Sequence, residues 1–308
     1  MRGSPWYLCL FLGVAAASWA GRDSIERMGV LRPQPQAVQG EASAASEVSL
    51  PAEATASASR LETAFSRMDY HLDTVATSGR VPPVMLAQVP SDLADMEEPD
   101  QRKDVFIRMM LPLVLKVDER IAADRRHLEE LAARLRQGGT LAAAESAWLA
   151  KLCDRYDVAD GPRAINQLLS RVDIVPPSLA VAQAAIETGW GTSHLARRER
   201  NLFGHTIDRG EGVSADMAAF PTLLDAVEAY IHNLNTHRAY AGMRRARQLA
   251  RHQGRSPEAE TMAAELLNYS ELGKSYVKDV RSVIRKNDLT RLDNTHLSDG
   301  RGWRTQGI

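Results

Sequence analysis

The sequence predicts a mainly α protein with one small β lobe, and three observations carry this prediction. The 308 residues are 44% hydrophobic and 25% charged, which is the composition of an ordinary globular chain with a packed core. Apolar residues recur at helical spacing over residues 101–155 and through most of the second half. The one break lies between Asn201 and Phe220, where glycines flank strand-like stretches and indicate a β-hairpin.

The first twenty residues are predicted to be a secretory signal peptide. Arg2 is the only charge before an apolar stretch from Trp6 to Ala20, which closes on the small-x-small pattern Ser18-Trp19-Ala20. The apolar run is shorter than the roughly 20 residues that span a bilayer comfortably. We therefore expect an exported protein of the periplasm or cell envelope. An uncleaved anchor is the alternative and the only predicted route to membrane contact.

Residues 21–60 are predicted to be a disordered linker rich in Pro, Ala and Ser. Large apolar side chains are scarce there, so the segment buries too little surface to offset the entropy lost on ordering. Ordered structure is expected from Leu61 onwards. At the other end, residues 291–308 are expected to form a flexible tail.

Residues 61–160 are predicted to form an N-terminal helical region. Its clearest helix ends at Gly138-Gly139, and Thr140 can cap another that continues through Leu152. Pro112 interrupts an apolar run and is expected to kink or start a helix. The apolar residues at helical spacing in the first of these helices are Val117, Ile121, Leu128, Leu131 and Leu135.

Residues 161–290 are predicted to form a helical domain around the hairpin. Thr222 followed by Asp225 resembles a capping box that starts a helix over 223–234. Ser256-Pro257 is expected to start a helix that reaches Asn268. A last helix is expected to begin at Ser275 and to run to about residue 286.

Charge and cysteine content exclude several classes of function. The chain carries 38 basic and 39 acidic side chains, a net charge of −1, and no long basic run, which argues against a nucleic-acid partner. Loss of the signal peptide would remove Cys9 and leave Cys153 alone, so neither an internal disulfide nor a thiolate metal site is predicted. No cofactor and no metal are expected, and the sequence carries no indication of oligomeric state.

Glu187 is the residue most strongly marked for chemistry. It ends an apolar helix over 179–186 and precedes Gly189, and it is the only charged residue between Asp173 and Arg197. Apolar neighbours and the negative end of the helix dipole both raise the pKa of a carboxyl group. A general acid at neutral pH requires such a raised pKa. The plain alternative is a helix end that emerges into solvent.

Four segments in order resemble the bacterial N-acetylglucosaminidase-type peptidoglycan hydrolases of glycoside hydrolase family 73, and among them the Bax-like proteins. The segments are 182–191 (AQAAIETGWG), 201–204 (NLFG), 229–240 (AYIHNLNTHRAY) and Tyr269 through Tyr276. Residues 106–117 also resemble the upstream region of the Bax-like proteins. The resemblance implies a lysozyme-like fold and cleavage of the β-1,4 bond after N-acetylglucosamine in peptidoglycan glycan strands.

The same resemblance makes Glu187 the general acid and directs the search for a second carboxylate to the hairpin. The candidates are Asp208, Glu211 and Asp216. We favour Asp216 because strand alternation puts it opposite an apolar set at 213, 215, 217 and 219, which is expected to face inward. The alternatives are a solvated turn carboxylate and assistance by the acetamido group of the substrate.

Aromatic and polar side chains near these motifs are further candidates. Tyr269 falls where the family places a groove tyrosine and is predicted to steady the reacting centre. Packing in the core is the alternative interpretation for each of these aromatic side chains. The predicted substrate-binding residues are Trp190, Asn201, Phe203, His205, Tyr240 and Tyr276.

Three other functions remain open from the sequence. A lytic transglycosylase shares the fold and the single helix-end glutamate but forms an anhydro sugar. An amidase usually needs zinc or a cysteine nucleophile, and no such ligand set is visible. A catalytically weak glycan-binding envelope protein is the third alternative, which the short hairpin favours.

Overall fold

A computed structural model describes residues 30–31, 47–207, 216–300 and 303. It confirms the mainly α class, since helices dominate these residues. The predicted signal peptide lies outside the described residues. The helices are α1 (Ala52–Ala56), α2 (Ala58–Arg67), α3 (Leu72–Ser78), α4 (Pro99–Arg136), α5 (Ala143–Arg155), α6 (Ala164–Arg171), α7 (Pro177–Thr188), α8 (His194–Glu199), α9 (Leu223–Thr236), α10 (Ala241–His252), α11 (Ala259–Ala263) and α12 (Lys274–Lys286), with 3-10 turns at Leu93–Asp95, Arg238–Tyr240 and Leu289–Leu292.

The strands are short and form two small sheets. The predicted hairpin is present: β3 (Thr206–Ile207) pairs antiparallel with β4 (Asp216–Met217), and the connecting residues 208–215 lie outside the described part. β1 (Val30–Leu31) lies parallel to β3. The second sheet pairs β2 (Arg80–Val81) in parallel with β5 (His296–Leu297). It therefore joins a segment before α4 to the segment after α12.

The long helix α4 runs through Pro112 without a break, so the expected helix start at this proline is wrong. A proline has no N–H, so the carbonyl of Arg108 one turn earlier loses its usual helical partner. The Tyr70 hydroxyl donates to that carbonyl at 2.9 Å. Arg108 in turn donates to the carbonyl of Tyr70 at 3.1 Å. The helix continues because a residue from a distant segment supplies the missing hydrogen bond.

Local signals predicted two helix starts correctly, whereas the predicted cap at Thr140 is wrong because α5 begins at Ala143 after Ala142. Thr222 and Asp225 form the predicted capping box at the start of α9, and α12 begins one residue before Ser275. The helix expected from residue 257 to Asn268 is wrong in its length. α11 ends at Ala263 and the chain then turns, because Leu266 is drawn into the core while Leu267 is left exposed.

Both predicted unstructured ends are shorter than expected. Within the supposed linker, residues 52–56 and 58–60 are already helical, and Val48 and Leu50 pack against the core. The expected tail over 291–308 is wrong for its first part, since Leu292 and Leu297 are buried and β5 pairs with β2. Both errors have one cause, because each segment is ordered by contacts with a distant part of the chain.

The core is one continuous cluster in which α7 is the central helix. It packs against α4, α11, α12 and the 3-10 turn at Leu289–Leu292. Buried residues of this cluster extend from Ala58 to Leu297, so the predicted N-terminal region and catalytic domain share it.

Among the residues described, no helix combines the length and the apolar character needed to cross a membrane.

Candidate active site

Two carboxylates hold the N-terminal end of α7. Asp293 accepts from the backbone N–H and the hydroxyl of Ser178, both at 2.8 Å. Asp118 of α4 accepts from the backbone N–H of Val175 at 3.2 Å. Carboxylate oxygens at a helix N-terminus satisfy N–H groups that have no partner within the helix, and the dipole favours them. These contacts fix the axial position of the helix that carries Glu187.

The C-terminal end of α7 presents Glu187 one residue before the helix stops. Gly189 ends the helix in the left-handed conformation, with φ +59°. The Thr188 hydroxyl donates to the carbonyl of Ala184 at 2.6 Å and accepts from the N–H of Gly191 at 2.8 Å. These two hydrogen bonds tie the sharp turn at residues 189–191 to the end of α7, next to Glu187.

Glu187 lies in an environment that favours its protonated form. Its side chain is partly buried, and desolvation by burial raises its pKa from 4.5 to about 7. A hydrogen bond from Tyr276 acts in the opposite direction and lowers the pKa. A carboxyl group that titrates near neutrality is suited to donate a proton.

The base of the hairpin approaches the carboxyl group through Gly204. A Cβ added at this glycine, whose φ is +68°, would lie 3.0 Å from Oε2 of Glu187. The approach is held by Asn201, which is fully buried. Its amide donates to the carbonyls of His205 and Ala218 at 2.7 and 2.9 Å and accepts from the N–H groups of Phe203 and His205. All four of these contacts of Asn201 are with the backbone, and its predicted role in substrate binding stays a prediction.

An aromatic cluster surrounds the acid on the side of α9 and α12. Tyr276 is hydrogen-bonded to Glu187, and Tyr269 stacks on it with ring centroids 5.3 Å apart. Tyr269 donates its hydroxyl to the carbonyl of Phe203 at 2.9 Å. Tyr240 is buried, and Phe203 stacks on Tyr230 at 3.8 Å. Of the two tyrosines, Tyr276 acts on Glu187 as a hydrogen-bond donor, and the predicted role of Tyr269 at the reacting centre stays a prediction.

Trp190 packs against α4, whereas His205 lies beside Phe203 and Tyr230. Trp190 makes an edge contact with Phe106 of α4 at 5.9 Å, and Lys103 lies over its ring. His205 is buried and has no hydrogen-bond partner on either ring nitrogen among the described residues. Burial lowers the pKa of His205 to about 4, so the ring is neutral. Both side chains pack against other aromatic rings, and their predicted roles in substrate binding stay predictions.

The strand argument for Asp216 needs a correction. Met217 is 45% exposed and Ala218 is 2% exposed, so the face of Met217 points outward and not inward as expected. Two hydrogen bonds set this register. The Asn201 amide donates to the carbonyl of Ala218, and the N–H of Ala218 donates to the carbonyl of His205. Asp216 itself is exposed at the start of β4, opposite Ile207. Asp208 and Glu211 lie outside the described residues.

No group of three or more His, Cys, Asp or Glu side chains that could hold a metal ion occurs in the part of the chain that the structure describes.

Comparison with known proteins supplies the family. Residues 163–289 match the family model for glucosaminidase, described as mannosyl-glycoprotein endo-beta-N-acetylglucosaminidase. Over 215 residues the chain is 36% identical to protein bax of Escherichia coli (strain K12), a match that covers 67% of this chain and 76% of the relative. The chain belongs to the Bax-like glucosaminidase family. The resemblance expected from the motifs is thereby confirmed.

A solved structure also matches in part. It is the catalytic domain of the autolysin Auto from Listeria monocytogenes, at 19% identity and a TM-score of 0.30, covering 48% of this chain and 82% of that domain.

The glucosaminidase match contains Glu187, Gly204 and Tyr276 but not every residue that supports them. Asp293, which caps α7, lies after it, and Phe106 of α4 lies well before it. Sequence reasoning missed Gln183 and Tyr230, which connect to Tyr276 by hydrogen bonds. A signal for Gln183 was present, since it precedes Glu187 by four residues on the same helix face in an otherwise apolar segment.

Proposed function

We propose that this protein hydrolyses the β-1,4 glycosidic bond after N-acetylglucosamine in peptidoglycan, with Glu187 as the general acid. The observation that carries the proposal is a carboxyl group with a pKa of about 7 at the end of a buried helix, within a chain of the glucosaminidase family. Such a group is largely protonated below neutrality and can release its proton to a leaving oxygen.

In the proposed reaction the proton of Glu187 passes to the glycosidic oxygen as the bond to the anomeric carbon breaks. Water supplies the hydroxyl that completes the anomeric carbon, its other proton returns to the Glu187 carboxylate, and the product carries a reducing end. The positive charge that develops on the sugar ring is stabilised by a carboxylate or by the acetamido group of the substrate. Asp216 is exposed on β4 and remains our candidate carboxylate.

The test of the acid is Glu187→Gln, which keeps the shape of the side chain but removes the proton. We expect release of soluble fragments from purified peptidoglycan to fall by roughly a factor of 100 to 10,000. The control is Glu119→Gln, an exposed position on α4, which should release fragments at the normal rate. Near-normal activity of folded Glu187→Gln enzyme would refute the assignment.

Mass analysis of the products separates the remaining alternatives. Hydrolysis yields fragments heavier by one water than the anhydro products of a lytic transglycosylase. Binding to glycan without any product would favour the binding-protein alternative. In the same assay Asp216→Asn should lower turnover with little change in binding, whereas silence at this position favours assistance by the substrate.

We also propose that residues 1–20 export the protein to the periplasm or cell envelope, where peptidoglycan lies. The composition of this segment and the family of the chain support the proposal. A reporter enzyme active only in the cytoplasm, fused after residue 60, should stay inactive, and activity equal to a leaderless control would refute export.

A further inference from the structure

A chain of hydrogen bonds reaches Glu187 through the interior of the protein. The hydroxyl of Tyr230 donates to Oε1 of Gln183 at 2.7 Å. The amide nitrogen of Gln183 donates to the hydroxyl oxygen of Tyr276 at 2.9 Å. Tyr276 in turn lies close enough to the carboxyl group of Glu187 to act on it as a hydrogen-bond donor, which lowers the pKa of Glu187. Gln183 and Tyr230 are fully buried and Tyr276 is 3% exposed, so water does not compete for these contacts.

The direction of the chain follows from a count of protons. An amide NH₂ group can only donate, and a phenol has one proton to give. Because Gln183 donates to the oxygen of Tyr276, the proton of Tyr276 is free for Glu187. If the amide were reversed, its oxygen would take that proton, and the Tyr276 oxygen would then have no proton to offer to the ionised carboxylate of Glu187.

Tyr230 holds the amide in the productive orientation. Its single proton is given to Oε1 of Gln183, which places the NH₂ group on the side of Tyr276. The ring of Tyr230 is fixed by stacking on Phe203, with an interplanar angle of 6°. Tyr276 is held by a similar stack on Tyr269. No member of the chain can rotate without breaking a stack or a buried hydrogen bond.

We propose that Gln183 is a positioning residue, oriented by Tyr230, which forces the Tyr276 hydroxyl to donate to Glu187. The inference rests on the proposed function of Glu187 as the acid. One carboxyl oxygen is occupied as an acceptor, so the acidic proton lies on the other oxygen. Bonds in such a chain also polarise one another, which strengthens the last donor. Gln183 therefore sets both where the proton sits and how readily it leaves.

The titratable groups around Glu187 come from the elements that pack near α7. They are Tyr276 of α12, Tyr269 before it, Tyr240 in the 3-10 turn and Tyr230 of α9, while Asp118 of α4 acts on Tyr230. The four phenols stay neutral at neutral pH because burial raises their pKa values. Removing the Tyr276 donation must then raise the pKa of Glu187, because the hydrogen bond favours the ionised form.

The test measures the pKa of Glu187 directly, by ¹³C NMR of the labelled glutamate side chains of the full chain without substrate. Glu187→Gln identifies the resonance. Tyr276→Phe should raise this pKa by about 1 unit, and Gln183→Met by about half a unit. Tyr156→Phe, which removes a buried hydroxyl near His232 and away from the site, should leave it unchanged.

Gln183→Met leaves the Tyr230 hydroxyl buried without an acceptor, which can impair folding. The double variant Gln183→Met/Tyr230→Phe removes both groups and should fold while showing the same shift. In activity assays the alkaline limb of the pH profile should move upward with the NMR value. A role in packing alone would lower the amount of active enzyme without moving that limb.

An unchanged Glu187 pKa in folded Gln183→Met or double variant overturns the inference, as does a shift to lower values. These outcomes are separate from failure of the proposed function. The titration needs no substrate, whereas the function fails if Glu187→Gln retains activity.

Discussion

At the scale of single residues, the site depends on the carboxyl group of Glu187, whose protonated form is favoured by burial. Between its ordinary pKa of 4.5 and the raised value of about 7, the folded chain keeps a proton that the unfolded chain releases. Folding therefore binds a proton in this window, and the contribution of Glu187 to stability falls as the pH rises through it. The feature that suits the residue for acid catalysis thus destabilises the fold at alkaline pH.

Glu187→Gln should consequently be more stable than the unmodified protein at pH 8, by roughly 1–3 kcal/mol. The difference should shrink as the pH falls towards 4.5 and vanish below it, where the natural residue is protonated in both states. Chemical denaturation across this pH range measures it, with Glu119→Gln as the exposed control. A stability difference that does not vary with pH would contradict the assigned pKa.

The effect of the close approach of Gly204 to Glu187 can be separated from backbone strain, because Gly254 has the same φ angle but no near neighbour. Gly204 and Gly254 both have φ +68°, but a Cβ at Gly254 meets nothing within 4 Å, whereas at Gly204 it lies 3.0 Å from Glu187 Oε2. We expect each alanine variant to lose about 1–2 kcal/mol from backbone strain. Only Gly204→Ala should also lose turnover. Equal activity of the two variants would mean that the close approach to Glu187 is without effect.

Glu187 could be predicted from the sequence because its signal is local: an apolar helix, one acid and a glycine stop. The contact of Tyr276 with Glu187 could not, because it depends on how α12 packs against α7, which the local sequence around the two tyrosines does not contain. The inward orientation of Met217 was predicted wrongly for a related reason. The register of β4 depends on hydrogen bonds from Asn201, which strand alternation does not contain.

At the scale of secondary-structure elements, features set by neighbouring residues were again predicted, and features set by distant contacts were not. The capping box of α9 involves residues three apart and was predicted correctly. The passage of α4 through Pro112 depends on Tyr70, which lies in another segment, and the order of residues 291–297 depends on β2. Elements that are stabilised locally can be read from a sequence, and those completed by distant partners cannot.

The role of Tyr70 can be measured with a double-mutant cycle. Tyr70→Phe leaves the buried Arg108 carbonyl without a donor and should cost about 1–3 kcal/mol of stability. In the background of Pro112→Ala the helix N–H is restored, so the same change should cost about 1 kcal/mol less. The free energies of unfolding of the four proteins decide the point. Strict additivity would show that the two residues act independently.

At the scale of the whole molecule, the family domain and the folding unit have different limits. A Cβ at Gly191 would lie 2.8 Å from Leu93 and 2.9 Å from Phe106, so the turn after the acid is packed against the N-terminal half without spare room. Asp293 caps the same helix from beyond the other end of the family match. The helix that carries the acid is completed from both sides by residues outside its domain.

A fragment of residues 161–300 should therefore fail to fold cooperatively, because α7 loses the apolar face of α4. A fragment of residues 47–300 retains that packing and should show a cooperative thermal transition. Circular dichroism of the two fragments provides the comparison. A sharp transition of the shorter fragment at the same temperature would show that the catalytic domain is autonomous.

The parallel pair of β2 and β5 also bears on the order of events during synthesis. Arg80 pairs with His296, so β2 leaves the ribosome more than 200 residues before its partner β5. The Asp293 cap on α7 is completed equally late. Contacts between such distant residues form slowly and only when both are present. The chain thus reaches its final structure only after nearly all of it has been made, and an unfinished chain cannot assemble the complete support of its own acid.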